Sequence, residues 1–176
     1  MSSVQNTDKS QARSETTQSA VEAFEKLGTD EKLALLYFVY EEMGKSITQA
    51  APSATDPELA PMLMGDYFDL SDDRQLEIMR EIVNGEDTEY SRAYGALKEN
   101  NQLMVWFAWA QGMGESVVDM PQGYQINQGG KDQLEQLKGL DFEEQITVLR
   151  TIAGNMGHTD VKPIESQAET GKTASL

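Results

Sequence analysis

Apolar residues recur at three- and four-residue steps over most of this chain, which is the signature of helices with one buried face. The clearest case is 33–47, where Leu33, Leu36, Tyr37, Tyr40, Met43 and Ile47 share a wide aromatic face. Pro52 is expected to stop this helix, because a proline ring clashes with the preceding turn. A second stretch answers it at 103–113, with Trp106, Trp109 or Ala110, and Met113 on one face. Two aromatic–methionine helices can pack an ordinary core. They can equally form two walls of a slot for a long, flat, apolar molecule.

Taken in order, residues 1–17 carry almost no apolar side chains and read as a disordered arm. A helix from Gln18 presents Ala20, Val21, Phe24 and Leu27, with Gly28 as its stop and Thr29 capping the central helix. Asp56-Pro57 starts a short helix through about Met64, ended by Gly65. Ser71-Asp72-Asp73 opens another, with Leu76, Met79 or Ile78, Ile82 and Val83 inward, stopping at Asn84-Gly85. Asp87 caps a helix presenting Tyr90, Ala93, Tyr94 and Leu97; Asn100-Asn101 separate it from the tryptophan helix, which runs to about Val118. Pro121–Tyr124 is a turn and Asn127–Gly130 a loop. A short helix at 131–138 carries Leu134 and Leu137 and ends at Gly139. Asp141-Phe-Glu-Glu144 is a capping box that opens a last helix with Ile146, Leu149, Ile152 and Ala153 inward. From Thr159 to Leu176 the sequence turns polar and reads as a flexible tail. No segment alternates with the period of a strand and no unit repeats at a fixed period. The expectation is an all-α domain over 18–158, about eight short helices joined by short loops.

Composition narrows the function. The chain of 176 residues has no cysteine, which removes disulfides, thiolate metal sites and cysteine nucleophiles. Its formal net charge of −16 repels phosphate backbones and anionic lipid surfaces, so nucleic acid is discounted as a partner. No apolar run is long enough for a transmembrane helix and the N-terminus lacks a secretory apolar segment, which fits a cytoplasmic protein. One histidine, His158, is too little for a serine–histidine–aspartate triad, and no phosphate-binding glycine motif is present. Acidic pairs such as Asp72-Asp73 and Glu143-Glu144 sit at helix starts, where they complement the helix dipole. The reading is of a protein that is not an enzyme and holds no metal.

The stretch Phe38-Val-Tyr40-Glu-Glu-Met43-Gly44-Lys45-Ser-Ile47-Thr48-Gln-Ala50-Ala51-Pro52 resembles the central helix of the N-terminal domain of the orange carotenoid protein family. Met120-Pro121-x-Gly123-Tyr124 resembles that family's proline–glycine–tyrosine turn, and Gln145-Ile-Thr-Val-Leu-Arg150 a family segment. The spacing between these anchors agrees over about residues 18–158, and together they are specific. The family's second, sheet-containing domain is missing, so the chain is similar to a stand-alone helical carotenoid protein.

The resemblance implies a carotenoid-binding bundle of two interleaved four-helix halves with a keto-carotenoid (canthaxanthin, echinenone or 3'-hydroxyechinenone) between them. Tyr40 matches the tyrosine beside the carotenoid ring and Trp106 the tryptophan that stacks on its other side. Leu33, Leu36, Ile47, Met79, Leu103, Phe107, Met113, Met120, Tyr124, Ile146 and Thr147 match or nearly match tunnel positions, and Met43 belongs to the same face. Tyr37 stands where the two-domain protein has tryptophan, Ala110 replaces a glycine and Phe107 a tyrosine, changes that bear on pigment fit and hue. Arg150 matches an arginine that contacts the second domain or the antenna.

The implied role is photoprotection by quenching singlet oxygen. That chemistry needs no acid, base or nucleophile, only a dry slot for a polyene. The alternatives are an effector that docks on the phycobilisome at the thylakoid, and a carrier exchanging pigment with a C-terminal-domain homologue. A second copy could cover the open end of the slot as a homodimer. Strong negative charge opposes docking on an acidic antenna, which ranks quenching first.

Overall fold

The structure, a computed structural model, describes residues 15–50, 60–121 and 123–160, with only the backbone for 45–50. The N-terminal arm before residue 15, Pro52, the Asp56-Pro57 helix start and the tail from 161 lie outside the described residues.

Among those residues there are eight α-helices and no strand. Helix α1 covers 15–25, so it is under way three residues before the apolar pattern marks it. It is followed by α2 (Thr29–Ala50), α3 (Pro61–Met64), a 3-10 turn at Asp66–Asp69, α4 (Asp72–Val83), α5 (Glu89–Gly95), α6 (Glu99–Gln111), α7 (Gln128–Lys138) and α8 (Phe142–Gly154). Two caps match their sequence signals. The Ser71 hydroxyl accepts from the Arg74 N–H, and the Asp141 carboxylate accepts from the Glu144 N–H at 2.8 Å. Proline at the start of α3 fits a helix whose first N–H groups have no partner anyway.

Four boundaries differ from the pattern reading. Gly28, not Thr29, occupies the cap place of α2: its carbonyl accepts from the Lys32 N–H, while the Thr29 hydroxyl donates to Asn84 Oδ1 at 2.9 Å. Thr88, not Asp87, caps α5, accepting from the Ser91 N–H; Asp87 pairs with Arg92 instead. Asn100 and Asn101 lie inside the first turn of α6 rather than before it. Asn127 opens α7 by accepting from the Gly130 N–H at 2.9 Å, so residues 128–130 are helix, not loop.

The largest correction concerns α6, which stops at Gln111 instead of running to Val118. Gly114 takes φ +84°, a region a side chain rarely enters, and its N–H closes a turn onto the Val117 carbonyl at 2.9 Å. The buried amide of Gln75 holds this turn. Its Nε2 donates to the Ser116 and Tyr67 carbonyls at 2.9 and 3.0 Å, and its Oε1 accepts from the Val118 N–H at 2.8 Å. Residues 118–121 and 123–124 are thereby turned back across the start of α2.

Helices α2 and α6 are the shared members of the two halves. α2 packs on α4, α6 and α7, while α6 packs on α2, α3 and α8, and α5 bridges α3 and α4. The four-helix halves interleave through this pair. One continuous core runs from Phe24 through Leu35, Tyr67, Ile82, Tyr94 and Trp109 to Leu149.

Candidate functional site: an apolar cleft between α2, α4 and α6

The start of α2, the middle of α4, the end of α6 and the loop residues 118–121 and Tyr124 enclose a cleft with about 170 Å³ of free space. Nine of the sequence-derived candidates line it. Leu33, Leu36 and Tyr37 come from α2 and Met79 from α4; Trp106 and Ala110 come from α6, and Met113, Met120 and Tyr124 from the loop after it. Trp109 lines it too, so the pattern's choice between Trp109 and Ala110 resolves to both.

Six candidates lie elsewhere. Met43, Leu103, Phe107 and Ile146 are buried in the main core, and Tyr40 packs on Phe107 with ring centroids 5.8 Å apart. Thr147 is exposed on α8 and donates to the Glu143 carbonyl at 2.9 Å. The side chain of Ile47 lies outside the described residues.

The aromatic wall is fixed from behind. Tyr94, Trp106, Trp109 and Tyr67 form a row. The first two rings stand edge-on at 6.0 Å, the tryptophans edge-on at 5.4 Å, and Trp109 stacks flat on Tyr67 at 4.0 Å and 12°. Tyr67, in the 3-10 turn, and Tyr94, on α5, are both fully buried. Sequence reading placed Tyr94 on a core face and did not single out Tyr67. The signal available was an aromatic beside a glycine turn, which is also how ordinary core looks.

Every N–H and O–H on the aromatic lining is committed to a protein partner. Trp106 Nε1 donates to the Tyr94 hydroxyl at 2.9 Å, which donates onward to the Ala153 carbonyl at 2.7 Å. Trp109 Nε1 donates to the Leu63 carbonyl at 3.0 Å. The Tyr37 hydroxyl donates to Glu41 at 2.7 Å, and the Tyr124 hydroxyl to Glu31 at 2.8 Å. The aromatic and methionine walls therefore meet a ligand with carbon and sulfur surfaces, which suits an apolar, polarisable guest, while Asp30, Arg80 and Asp119 supply the charged part of the lining.

These bonds have titration consequences. Donation to Glu41, then burial, pushes the Tyr37 hydroxyl up to about 12; burial, then donation to Glu31, pushes Tyr124 up to about 12. Burial also raises Tyr67 and Tyr94. Above the ordinary tyrosine value of 10.0, the unfolded chain sheds phenolic protons that the folded chain keeps. The unfolded state then binds fewer protons, so stability is fully present below pH 10 and falls as pH rises towards 12. Thermal unfolding midpoints measured across that range are expected to drop steadily; a flat profile contradicts the bonding described.

Tyr94→Phe tests the support of the wall. It leaves Trp106 Nε1 without a partner, while the Ala153 carbonyl keeps the Met156 N–H at 3.3 Å, at a cost of about 1–3 kcal/mol in urea unfolding. A loss below about 0.5 kcal/mol would mean that water replaces the hydroxyl.

Residues 10–159 match the family model for the N-terminal part of the orange carotenoid protein. An orange carotenoid-binding domain-containing protein of Nostoc sp. (strain PCC 7120) is 41% identical over 140 residues, which is 79% of this chain and 82% of that protein. The orange carotenoid-binding protein of Synechocystis sp. (strain PCC 6803) is 33% identical over 83% of this chain, but only 46% of that relative is spanned. Among solved structures, the red carotenoid protein of Anabaena (Nostoc) sp. PCC 7120 binding canthaxanthin superimposes with a TM-score of 0.72 at 33% identity. That match covers 82% of this chain and 99% of that one. The chain belongs to the family of the orange carotenoid protein N-terminal domain, and its all-α bundle is that family's fold.

No described helix is long and apolar enough to cross a membrane. The family is one of carotenoid-binding proteins rather than enzymes.

Proposed function

We propose that this protein holds a keto-carotenoid in water and protects against light damage by quenching singlet oxygen. The observation that carries the reading is the cleft whose aromatic donors all turn away from it, lined by Trp106 and eight other residues that the family resemblance and the helix pattern single out. A binding relative of the same fold holds canthaxanthin, a ring-oxygenated polyene. The free space of about 170 Å³ is below the ~300–1,000 Å³ that buries a drug-sized ligand whole. It suits one end ring of a long guest, with the remainder passing between α2 and α6 beside Tyr40 and Phe107. Met43, Leu103 and Ile146, now core residues, then join the wall. Ile47 and Thr147 are proposed contacts farther along. The pigment supplies the photophysics. The chain's residues bind it, fix its end ring between flat aromatic groups and keep water from the polyene.

A second reading has its own observation. A groove at the junction of α5, α6 and α8 is lined by Lys98, Asn100, Gln102 and Arg150, and the buried Nε of Arg150 has no hydrogen-bond partner among the described residues. That supports a partner contact at Arg150, on the phycobilisome at the thylakoid or on a C-terminal-domain homologue. A second copy as homodimer partner has no such support. The two readings separate cleanly in assay. Singlet-oxygen phosphorescence is expected to decay faster with pigmented protein than with apoprotein, while antenna fluorescence stays unchanged. Clear loss of antenna fluorescence would reverse the ranking.

A further inference from the structure

We propose that Arg80 determines which polyenes this protein accepts, by donating a hydrogen bond to a ring ketone at the mouth of the cleft. The inference rests on the pigment reading above and names a residue that the family resemblance did not point to. All but one of the side-chain donors that line the cleft are already bonded. Tyr37, Tyr124, Trp106 and Trp109 have given their N–H and O–H groups to Glu41, Glu31, Tyr94 and Leu63. The methionine, leucine, valine, alanine and proline side chains have none to give. Arg80 is different. It projects from α4 one residue past Met79 and lines the same cleft.

Its guanidinium carries five N–H groups. Nε and one N–H of Nη2 are given to Asp30, at 3.0 and 3.2 Å, in a two-pronged pair that joins α4 to the first turn of α2. Nη1 makes no bond among the described residues. The pairing has two effects on a ligand. It fixes the plane of the guanidinium, so that little further ordering is needed to present Nη1. It also occupies both oxygens of Asp30, which would otherwise repel a ketone oxygen at the same place. A ketone oxygen only accepts, so Arg80 is its match. A hydrocarbon ring gains nothing there and costs the guanidinium some of its water.

The test compares canthaxanthin with β-carotene, which has the same carbon skeleton without the ring ketones. Purified apoprotein is equilibrated with each pigment in detergent, and bound pigment is read after gel filtration. The native chain is expected to retain canthaxanthin about threefold to tenfold more strongly than β-carotene, the range of one partly exposed hydrogen bond to a charged donor. Arg80→Met should remove that preference by lowering canthaxanthin retention, with β-carotene retention unchanged or raised because no guanidinium is left to desolvate. Arg80→Lys, which restores a cationic donor, should recover part of it. Lys138→Met, which deletes a surface cation paired with Glu42 away from the cleft, should keep the preference. An exposed ion pair contributes little to folding, and circular dichroism of Arg80→Met checks that it has folded. Retention of the native preference by Arg80→Met, or an equal loss for both pigments, overturns the assignment. A native chain that binds both pigments equally overturns it while leaving the pigment reading intact. A native chain that binds neither overturns both.

Discussion

Replacing Gln75 with leucine is expected to cost about 3 kcal/mol, a large loss for a single polar side chain. A glutamine in the first turn of an acidic helix looks like solvent-facing polarity, yet this one is 1% exposed. Its amide makes three bonds, to the Tyr67 and Ser116 carbonyls and from the Val118 N–H. The Tyr67 carbonyl keeps a second donor in Leu70 N–H, so leucine strands two groups, Ser116 C=O and Val118 N–H. Each stranded group costs roughly 1–3 kcal/mol when water cannot reach it. The loss should reach beyond stability, because Gln75 sets the turn that carries Val118, Met120 and Tyr124 to the cleft. Gln75→Glu makes the mechanism visible. It keeps an acceptor for Val118 N–H but points a carboxylate at two carbonyl oxygens, so it should be destabilised at neutral pH and recover in acid, where the protonated form can donate. Urea unfolding at two pH values measures this. A loss under about 0.5 kcal/mol for leucine, or a pH-independent loss for glutamate, contradicts the account.

The second large effect is expected at Gly95, the last residue of α5. A methyl group there would lie 2.1 Å from the His158 carbonyl oxygen and 2.8 Å from its carbon. The obstacle is backbone, and that backbone is pinned. Gly157 N–H donates to the Ile82 carbonyl at 2.8 Å, and His158 N–H to the Ser91 carbonyl at 3.1 Å. Moving aside would break both bonds and lift Asp160 from Arg92. Gly95→Ala should therefore cost about 2–4 kcal/mol, the range of an overpacked site. Gly139→Ala is the contrast. Gly139 has an ordinary helical φ of −78°, and a methyl there would make only ordinary contacts, 3.6 Å from the Glu135 and Gln136 carbonyl oxygens, so alanine should be neutral or stabilise by roughly 0.5 kcal/mol. Similar losses at the two positions would contradict the close approach at Gly95.

These two residues show where the sequence is silent. Helix periodicity and caps were legible because they are local: Ser71 and Asp141 each bond an N–H three residues on. The inward face of α8 follows from spacing alone; on α4 spacing finds Ile78, Met79, Ile82 and Val83 but not the buried Gln75 and Glu81. The end of α6 was not legible, since Met113, Val117 and Val118 continue an apolar pattern through two glycines that a helix tolerates singly. Only a contact from Gln75, 41 residues away, decides that the chain turns there. Asp87 and Thr88 are both good cap residues, and the choice between them fell to the Arg92 pair. The cleft was half legible. The stripes on α2 and α6 pointed to two facing walls, and nine candidates meet in one place. Arg80 was missed because an arginine beside an apolar stripe reads as a solvated edge. Tyr67 was missed because its partner, Trp109, is 42 residues further along the chain.

The measurement that bears most directly on the central claim is the visible absorption spectrum of the protein purified from a host that makes keto-carotenoids. A broad blue-green band that co-elutes with the folded, helical protein is the predicted result. A colourless, folded protein from that host would contradict the pigment reading, and the aromatic row from Tyr94 to Tyr67 would then be core alone.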